Sequence, residues 1–288
     1  MSESVYQDKA YLREQQYRDS SNLDARAALH REFSTSTQNW QAWVFDQMEL
    51  APGTAVLECG CGPGWLWRQN LARIPANCQI TLTDLSPGMV AEAESAVAEA
   101  ESALAEVEST LSDQPRFHFQ TASIDDLPFA DDSFDVVVAN HMLYHVPDLD
   151  KALAEVRRVL KADGRFLAAT NGDNHMRELK ELAFRFAGDA VPQKWPQLAF
   201  RLENGRDLLA PYFGHVSLLP FEDGLAVTAV EPLMAYLRSM ALTQEMGADQ
   251  LTEEIAALEQ HIAKTIAAEG AYRIQKETGL FLARNGRG

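Results

Sequence analysis

The run Ala55-Val56-Leu57-Glu58-Cys59-Gly60-Cys61-Gly62-Pro63-Gly64 constrains this chain more than any other stretch. A short apolar segment meets an acidic residue, and glycines then occupy the alternate positions 60, 62 and 64. Glycine is needed where backbone turns tightly or comes close to a ligand, because a Cβ obstructs both. A buried strand feeding such a loop, with a helix behind it, is how an α/β sheet builds a nucleotide site. The dinucleotide fingerprint calls for a further glycine at position 65, where this chain has Trp65. That mismatch disfavours an NAD-type oxidoreductase.

The segments around this loop alternate. Strands are predicted at 55–58, 79–84, 116–120, 134–139 and 165–170, with helices near 65–73, 87–112 and 148–162 between them. Repeated strand–helix order predicts a parallel sheet with helices on both faces. Val136-Val137-Val138 is the continuous apolar run of a strand buried on both sides. Leu149, Leu153, Val156 and Leu160 share one face of a helix expected to stop near Gly164. Two more strands are predicted at 215–221 and 278–284, and Ile255, Leu258, Ile262 and Ile266 mark an amphipathic helix over about 249–269.

This divides the chain into four parts. Residues 1–50 read as a helical cap, in which Ser34-Thr35-Ser36-Thr37 offers an N-cap to the helix bearing Trp40 and Trp43. Aromatic residues in such a segment pack against a body; the alternative, for Tyr17 among them, is to cover a site. Residues 51–172 form the core. Residues 173–212, interrupted by Pro192, Trp195, Pro196 and Gly205, are a long connection suited to a lid on the acceptor side. Residues 213–288 complete the sheet. Within 91–106 an Ala/Glu-rich unit repeats after seven residues, which gives one long helix with a weak apolar seam.

Composition narrows the class. No apolar run approaches the roughly 18–20 residues of a membrane span. The first residues have neither the basic nor the apolar region of a leader, so a cytoplasmic protein is expected. Cys59, Cys61 and Cys78 are too few and too oddly spaced for a disulfide framework, and no second pair completes a tetrahedral metal site. The aspartates at 125, 126, 131 and 132 read as solvated loop, so no metal is expected. A net charge of −17 repels phosphate backbones, which disfavours nucleic acid and leaves a small-molecule substrate. The oligomeric state is open.

Further motifs fall at strand ends. Asp84 closes the second strand and is followed by Leu85-Ser86-Pro87-Gly88-Met89. Ser123-Ile124-Asp125-Asp126-Leu127-Pro128-Phe129 follows the third, Ser133-Phe134-Asp135 opens the fourth, and Asn140-His141-Met142-Leu143-Tyr144-His145 ends it. Arg158-Val159-Leu160-Lys161-Ala162-Asp163-Gly164 precedes the fifth. This ordered set resembles the class I S-adenosylmethionine-dependent methyltransferase superfamily, in its small-molecule, type 11 or type 25-like branch. The likeness is close over about 50–172 and loose beyond.

The resemblance implies a Rossmann-like, seven-stranded, mainly parallel sheet with the last strand antiparallel, flanked by helices, with a helical N-terminal cap and a lid insertion. It implies S-adenosylmethionine as cofactor, S-adenosylhomocysteine as product, and methyl transfer to oxygen or nitrogen of a small organic acceptor. Gly60, Cys61 and Gly62 pass under the methionine and ribose, with Glu58 fixing the loop or reaching the amino group through water. Asp84 takes the ribose hydroxyls, Leu85 and Met89 flank the adenine, and the Ile124 amide and Ser123 meet its edge. Ser123 stands where the family usually has an aspartate and accepts more weakly. Asn140 contributes its carbonyl or amide near the methionine.

His141, Tyr144 and His145 are the catalytic candidates, since a hydroxyl acceptor needs a base near neutral pH. The alternative for His145 is packing beneath the site. On a helical turn, His141 and His145 share a face. Asn171 and His175 are further candidates to face the acceptor, whereas His30, His118, His215 and His261 read as surface or core residues. The rival to an enzyme is a regulatory protein that binds the cofactor without turnover.

Overall fold

In the computed structural model, residues 7–105, 116–187, 197–238 and 252–285 are described. After a short helix α1 (Lys9–Tyr11), which runs on as a π-helical turn over Leu12–Gln16, come α2 (Ser21–Phe33) and α3 (Trp40–Met48). The core then alternates β1 (Ala55–Cys59), α4 (Trp65–Asn70), β2 (Gln79–Asp84), α5 (Pro87–Ala105), β3 (Phe117–Thr121), β4 (Phe134–Asn140), α6 (Leu149–Val159) and β5 (Leu160–Asn171). Next are α7 (Arg177–Ala187), α8 (Gly205–Leu209), β6 (His215–Phe221), β7 (Gly224–Val227), α9 (Val230–Arg238), α10 (Thr252–Glu269), β8 (Tyr272–Gln275) and β9 (Thr278–Arg284).

Seven strands form one sheet in the order β3-β2-β1-β4-β5-β9-β6. Neighbours pair in parallel from β3 to β5, and β9 is antiparallel to both β5 and β6. This is the Rossmann-like sheet implied by the resemblance. All seven predicted strands are present.

Alternation along the central strands divides two apolar layers. Val137 and Ala139 of β4 join Leu57 of β1 and Phe166 of β5 on one face, covered by Leu153 and Val156 of α6. Val136 and Val138 join Val56, Ile80 and Leu82 on the other, beneath Phe45 of α3, Trp67 of α4 and Val97 of α5. Each fully buried side chain of this size contributes about 1.5–3 kcal/mol relative to exposure. The continuous valine run is thus apolar because both its faces are covered.

Several sequence motifs brace this core. The Arg158 guanidinium donates to the Leu127 and Phe129 carbonyls at 2.9 and 2.6 Å, holding the Leu127-Pro128-Phe129 turn on α6. Asp135 accepts from the Ala55 amide at 2.8 Å, tying β4 to the start of β1.

Helix α6 ends at Val159, and β5 runs from Leu160, so the stop expected near Gly164 lies inside a strand. Leu160 already pairs with Phe134, which pulls the backbone out of the helix four residues early. The N-cap of α3 is Asn39, whose side chain accepts from the Gln41 and Ala42 amides. The Ser34–Thr37 tract instead ties the cap to a distant turn, as the Ser34 hydroxyl and the Thr35 and Ser36 amides donate to Asp223.

A third apolar cluster was not legible in the sequence. The antiparallel pair β7–β8 and helices α7, α9 and α10 bury Leu179, Leu225, Leu233, Leu258 and Ile274 against Leu29 of α2. It stands beside the sheet at the strand ends, and the cavity below lies between the two. Pro192, Trp195, Pro196 and the helix end expected over 106–112 fall outside the described residues.

Candidate active site

The C-terminal ends of β1, β2 and β4 open into a cavity of about 720 Å³. Its floor begins with the glycine loop. Gly60, Gly62 and Gly64 have φ of 70°, 53° and 71°. A Cβ on Gly60 would stand 2.8 Å from the Met142 side chain, so this position needs glycine for both its conformation and its space. Asp84 sets the loop's position: one carboxylate oxygen accepts from the Gly62 amide at 3.0 Å and the other from the Ser86 amide at 2.8 Å. Burial raises its pKa, opposed by those backbone bonds.

Glu58 is only 2% exposed and accepts from the Trp67 indole N–H at 2.7 Å, which fixes α4 beneath the loop. Burial pushes this carboxyl up to about 8, with the Trp67 bond pulling back and Asp84 pushing further. Cys59 is raised to about 12 and Cys61 well above its ordinary value, both chiefly by burial, so both stay thiols at neutral pH.

All the residues predicted to meet a cofactor border this one cavity: Glu58, Gly60, Cys61, Gly62, Asp84, Leu85, Met89, Ser123, Ile124 and Asn140. So do His141, Tyr144 and His145, together with Asn171 and His175. The arrangement suits a nucleoside bearing an amino-acid tail. A carboxylate held by two amides faces the space, apolar Leu85, Met89 and Ile124 stand beside it, and a glycine cradle runs underneath.

Two predicted residues are engaged by the cap. The Asn140 side-chain oxygen accepts from the Trp40 indole N–H at 3.2 Å, and its amide donates to Gln41 at 3.4 Å, leaving the backbone carbonyl for a ligand. Ser123 accepts from the Lys9 ammonium at 3.0 Å and donates to Asp125, which Lys9 also meets at 2.7 Å. Asp125 is therefore no solvated loop residue. At 8% exposure it anchors the cap, and its pKa falls because the Lys9 and Ser123 bonds outweigh burial.

His141 and His145 do not share a face. His141 takes φ 57°, outside any helix, and the one helical turn there is the 3-10 segment Leu143–His145. His145 turns to the cap, where its Nε2 lies 2.8 Å from the Tyr17 hydroxyl. Tyr144 stacks edge-on against His145, with ring centroids 4.5 Å apart. The His141 ring lies 5.1 Å from that of Trp40.

The cap supplies a residue read from the sequence as surface or core. His30 borders the cavity, 6.5 Å ring to ring from His175 and 6.2 Å from Tyr236. Its helical spacing from Leu23 and Ala27, which also border the cavity, is the signal that would have found it. Lys276 and Asp223, a buried ion pair on the same wall, left no trace in the sequence. Among the described residues, no group of three His, Cys, Asp or Glu side chains is placed to hold a metal. Of the described part of 173–212, His175 borders the cavity, whereas residues from 9 to 41 form much of its cover.

A parallel sheet with a reversed strand next to its edge, a glycine cradle at β1 and an acid at β2 together form a strand-end site suited to a nucleoside cofactor. Residues 57–168 match the family model described as "Methyltransferase domain". The chain is 32% identical over 173 residues to a malonyl-[acyl-carrier protein] O-methyltransferase of Methylovorus sp., covering 60% of this chain and 54% of that one. Over 128 residues it is 31% identical to a ubiquinone/menaquinone biosynthesis C-methyltransferase of Geotalea daltonii, covering 44% and 50%. The chain thus spans about half the length of these curated relatives. In fold it is similar to phosphoethanolamine N-methyltransferase 2 of Haemonchus contortus in complex with S-adenosyl-L-methionine. The TM-score is 0.56 at 17% identity, covering 99% of this chain and 61% of that one.

Proposed function

We propose that this protein transfers a methyl group from S-adenosylmethionine to oxygen or nitrogen of a small organic acceptor, releasing S-adenosylhomocysteine. The observation that carries the proposal is the single cavity joining the glycine loop and Asp84 to a polar chamber walled by His141 and His175. When bound, the cofactor supplies a methyl group already activated by its sulfonium. The protein has only to align the acceptor and exclude water, and alignment accounts for up to about 7–11 kcal/mol in well-oriented systems.

In this reading Asp84 accepts from the ribose hydroxyls, and Leu85 and Met89 hold the adenine. The Ile124 amide and the Lys9-bound Ser123 meet the adenine edge. Gly60, Cys61 and Gly62 support the methionine, whose amino end meets the Asn140 carbonyl, and Glu58 fixes the loop through Trp67. His141 is the candidate base, and His145 and Tyr144 hold the cap by way of Tyr17. Residues 1–50 are the cap, 51–172 the cofactor-binding core, 173–212 the acceptor-side insertion and 213–288 the part completing sheet and chamber.

Three buried free cysteines and a net charge of −17 support a cytoplasmic enzyme of small molecules rather than of nucleic acid. No helix among the described residues is long and apolar enough to cross a membrane. Calorimetry with S-adenosylmethionine and S-adenosylhomocysteine tests the reading. Micromolar binding of both is expected, and absence of binding at millimolar concentration overturns it. Binding without methyl transfer to any acceptor class would instead favour the regulatory role.

A further inference from the structure

Beyond Asn140 the cavity wall holds the Lys276–Asp223 pair in its buried part, with the exposed Arg31 side chain, 3.9 Å from Glu32, also on its border. Lys276 and Asp223 form an ion pair whose side chains are 9% and 1% exposed. Asp223 further accepts from the Ser34 hydroxyl and from the amides of Thr35, Ser36 and Gly224. It therefore stays a fixed anion, with Lys276 already neutralised. An anionic acceptor would lie beside Asp223 with Lys276 already engaged, and an ammonium would lie beside Lys276 with Asp223 already engaged. Desolvating an unpaired charge is costly, so the chamber selects against both.

Three imidazoles complete the wall, and among the described residues none of His30, His141 and His175 makes a hydrogen bond through Nε2. Burial, aided by Lys276, holds His30 at about 3 and His141 at about 4, and burial holds His175 well below its usual value, so all three are neutral. For His175 the tautomer follows from its surroundings. The Glu277 amide donates to Nδ1 at 3.2 Å, while the Glu277 carbonyl already accepts from the Gly172 amide at 2.9 Å. The same carbonyl lies 3.1 Å from Nδ1, but only with the proton on Nε2 are the Glu277 amide and carbonyl both paired, so His175 presents a donor to the chamber. His141 carries no such constraint, since its Nδ1 is buried without a partner among the described residues and can carry the proton, leaving Nε2 as an acceptor. Aromatic faces close the space: Trp40 and Phe221 meet edge to face with centroids 5.2 Å apart.

We propose, building on the methyltransferase reading, that the acceptor is an uncharged phenol, its ring against Trp40 and Phe221 and its hydroxyl between His141 and His175. His141 is then the catalytic residue and His175 a positioning donor. In the reaction the phenol oxygen attacks the methyl carbon. The new C–O bond forms as the carbon–sulfur bond breaks, its electron pair stays on sulfur, and the hydroxyl proton passes to His141 Nε2 and then to solvent. A neutral imidazole suffices, because the hydroxyl proton becomes strongly acidic as the oxygen acquires the methyl group.

The test compares acceptors and variants of the full chain. Labelled methyl transfer is followed with catechol, 4-hydroxybenzaldehyde, benzoate and phosphoethanolamine, and S-adenosylhomocysteine affinity is measured in parallel. The phenols are expected to exceed the two charged acceptors in kcat/KM by about 100-fold or more, the discrimination a desolvated polar site can supply. H141N suits the left-handed backbone at this position and is expected to lower kcat by about 10²–10⁴. H175N is expected to raise KM for the phenol more than it lowers kcat, with S-adenosylhomocysteine affinity within about twofold of wild type. Preference for benzoate or phosphoethanolamine, no transfer to either phenol, or full phenol activity in H141N overturns the proposal while leaving the methyltransferase reading intact. Failure to bind S-adenosylhomocysteine overturns that reading, and this proposal with it.

Discussion

Glu58 is the carboxyl that β1 delivers to the cofactor loop, and its burial makes a measurable demand on stability. Its carboxyl titrates at about 8 in the folded protein against 4.5 when unperturbed. Between those values the native state holds a proton that the unfolded chain has released. Stability therefore falls as pH rises, by at most about 1.4 kcal/mol per pH unit for one proton. Asp84, the depressed histidines and the cysteines are common to wild type and a Glu58 variant, so the difference between the two proteins over a window from about pH 6.8 to 8 reads Glu58. Across it, Glu58 alone costs roughly 1 kcal/mol, since half of its proton is lost by pH 8. Glu58→Gln keeps the acceptor for the Trp67 indole and removes the titration, whereas Asp84 is common to both proteins. Urea unfolding at half-unit pH steps reads the difference. Wild type should lose roughly 1 kcal/mol more than E58Q across the window. Parallel pH profiles for the two proteins would refute the assignment of a buried, proton-holding Glu58.

Three further perturbations follow from the geometry. Gly60→Ala places a Cβ against Met142 at a left-handed position and should destabilise by about 1–3 kcal/mol, with S-adenosylhomocysteine affinity falling more than tenfold by calorimetry. Gly88→Ala drives a Cβ into the Arg18 carbonyl, so limited proteolysis should cut within residues 7–20 faster while the core resists. On acidification from about pH 6.5 toward 4, unfolded histidines take up protons that buried His30, His141 and His175 refuse, so stability falls. Asp223 opposes this at His30 and Lys276 reinforces it. Relief of one such group in H141N should move the acid-unfolding midpoint, followed by circular dichroism, to lower pH.

The sheet was legible because buried parallel strands carry uninterrupted apolar runs and end in the residues that face the ligand. Val136–Val138 and the turn after Asp84 are local signals, and the resemblance resting on them implied the fold. Of the acceptor chamber, His141 and His175 were candidates from their places after β4 and β5, whereas His30, Asp223 and Lys276 were not legible, since α2, the β6–β7 turn and the β8–β9 turn lie far apart along the chain. No spacing rule links His30, His175 and Lys276. Pairing between Lys9 and Asp125 likewise depends on where the cap lands, and the sequence around Asp125 reads as ordinary loop. The early exit from α6 at Val159 was missed because strand pairing of Leu160 overrode a helical apolar pattern that continued through it.

The placement of β9 bears on how this molecule comes into being. β5 and β6 never pair with each other; each pairs along its length with β9, which follows both in the chain. During synthesis β6 therefore waits, without a partner strand, until residues 278–284 leave the ribosome. The same late segment brings Lys276 to Asp223 and Glu277 to His175. The donor half of the site, built from β1, β2 and β4, has no such dependence. A nascent chain thus owns a place for the methyl donor before it has any wall against which to hold an acceptor, and the open edge of β5 is the surface most exposed to mispairing in that interval.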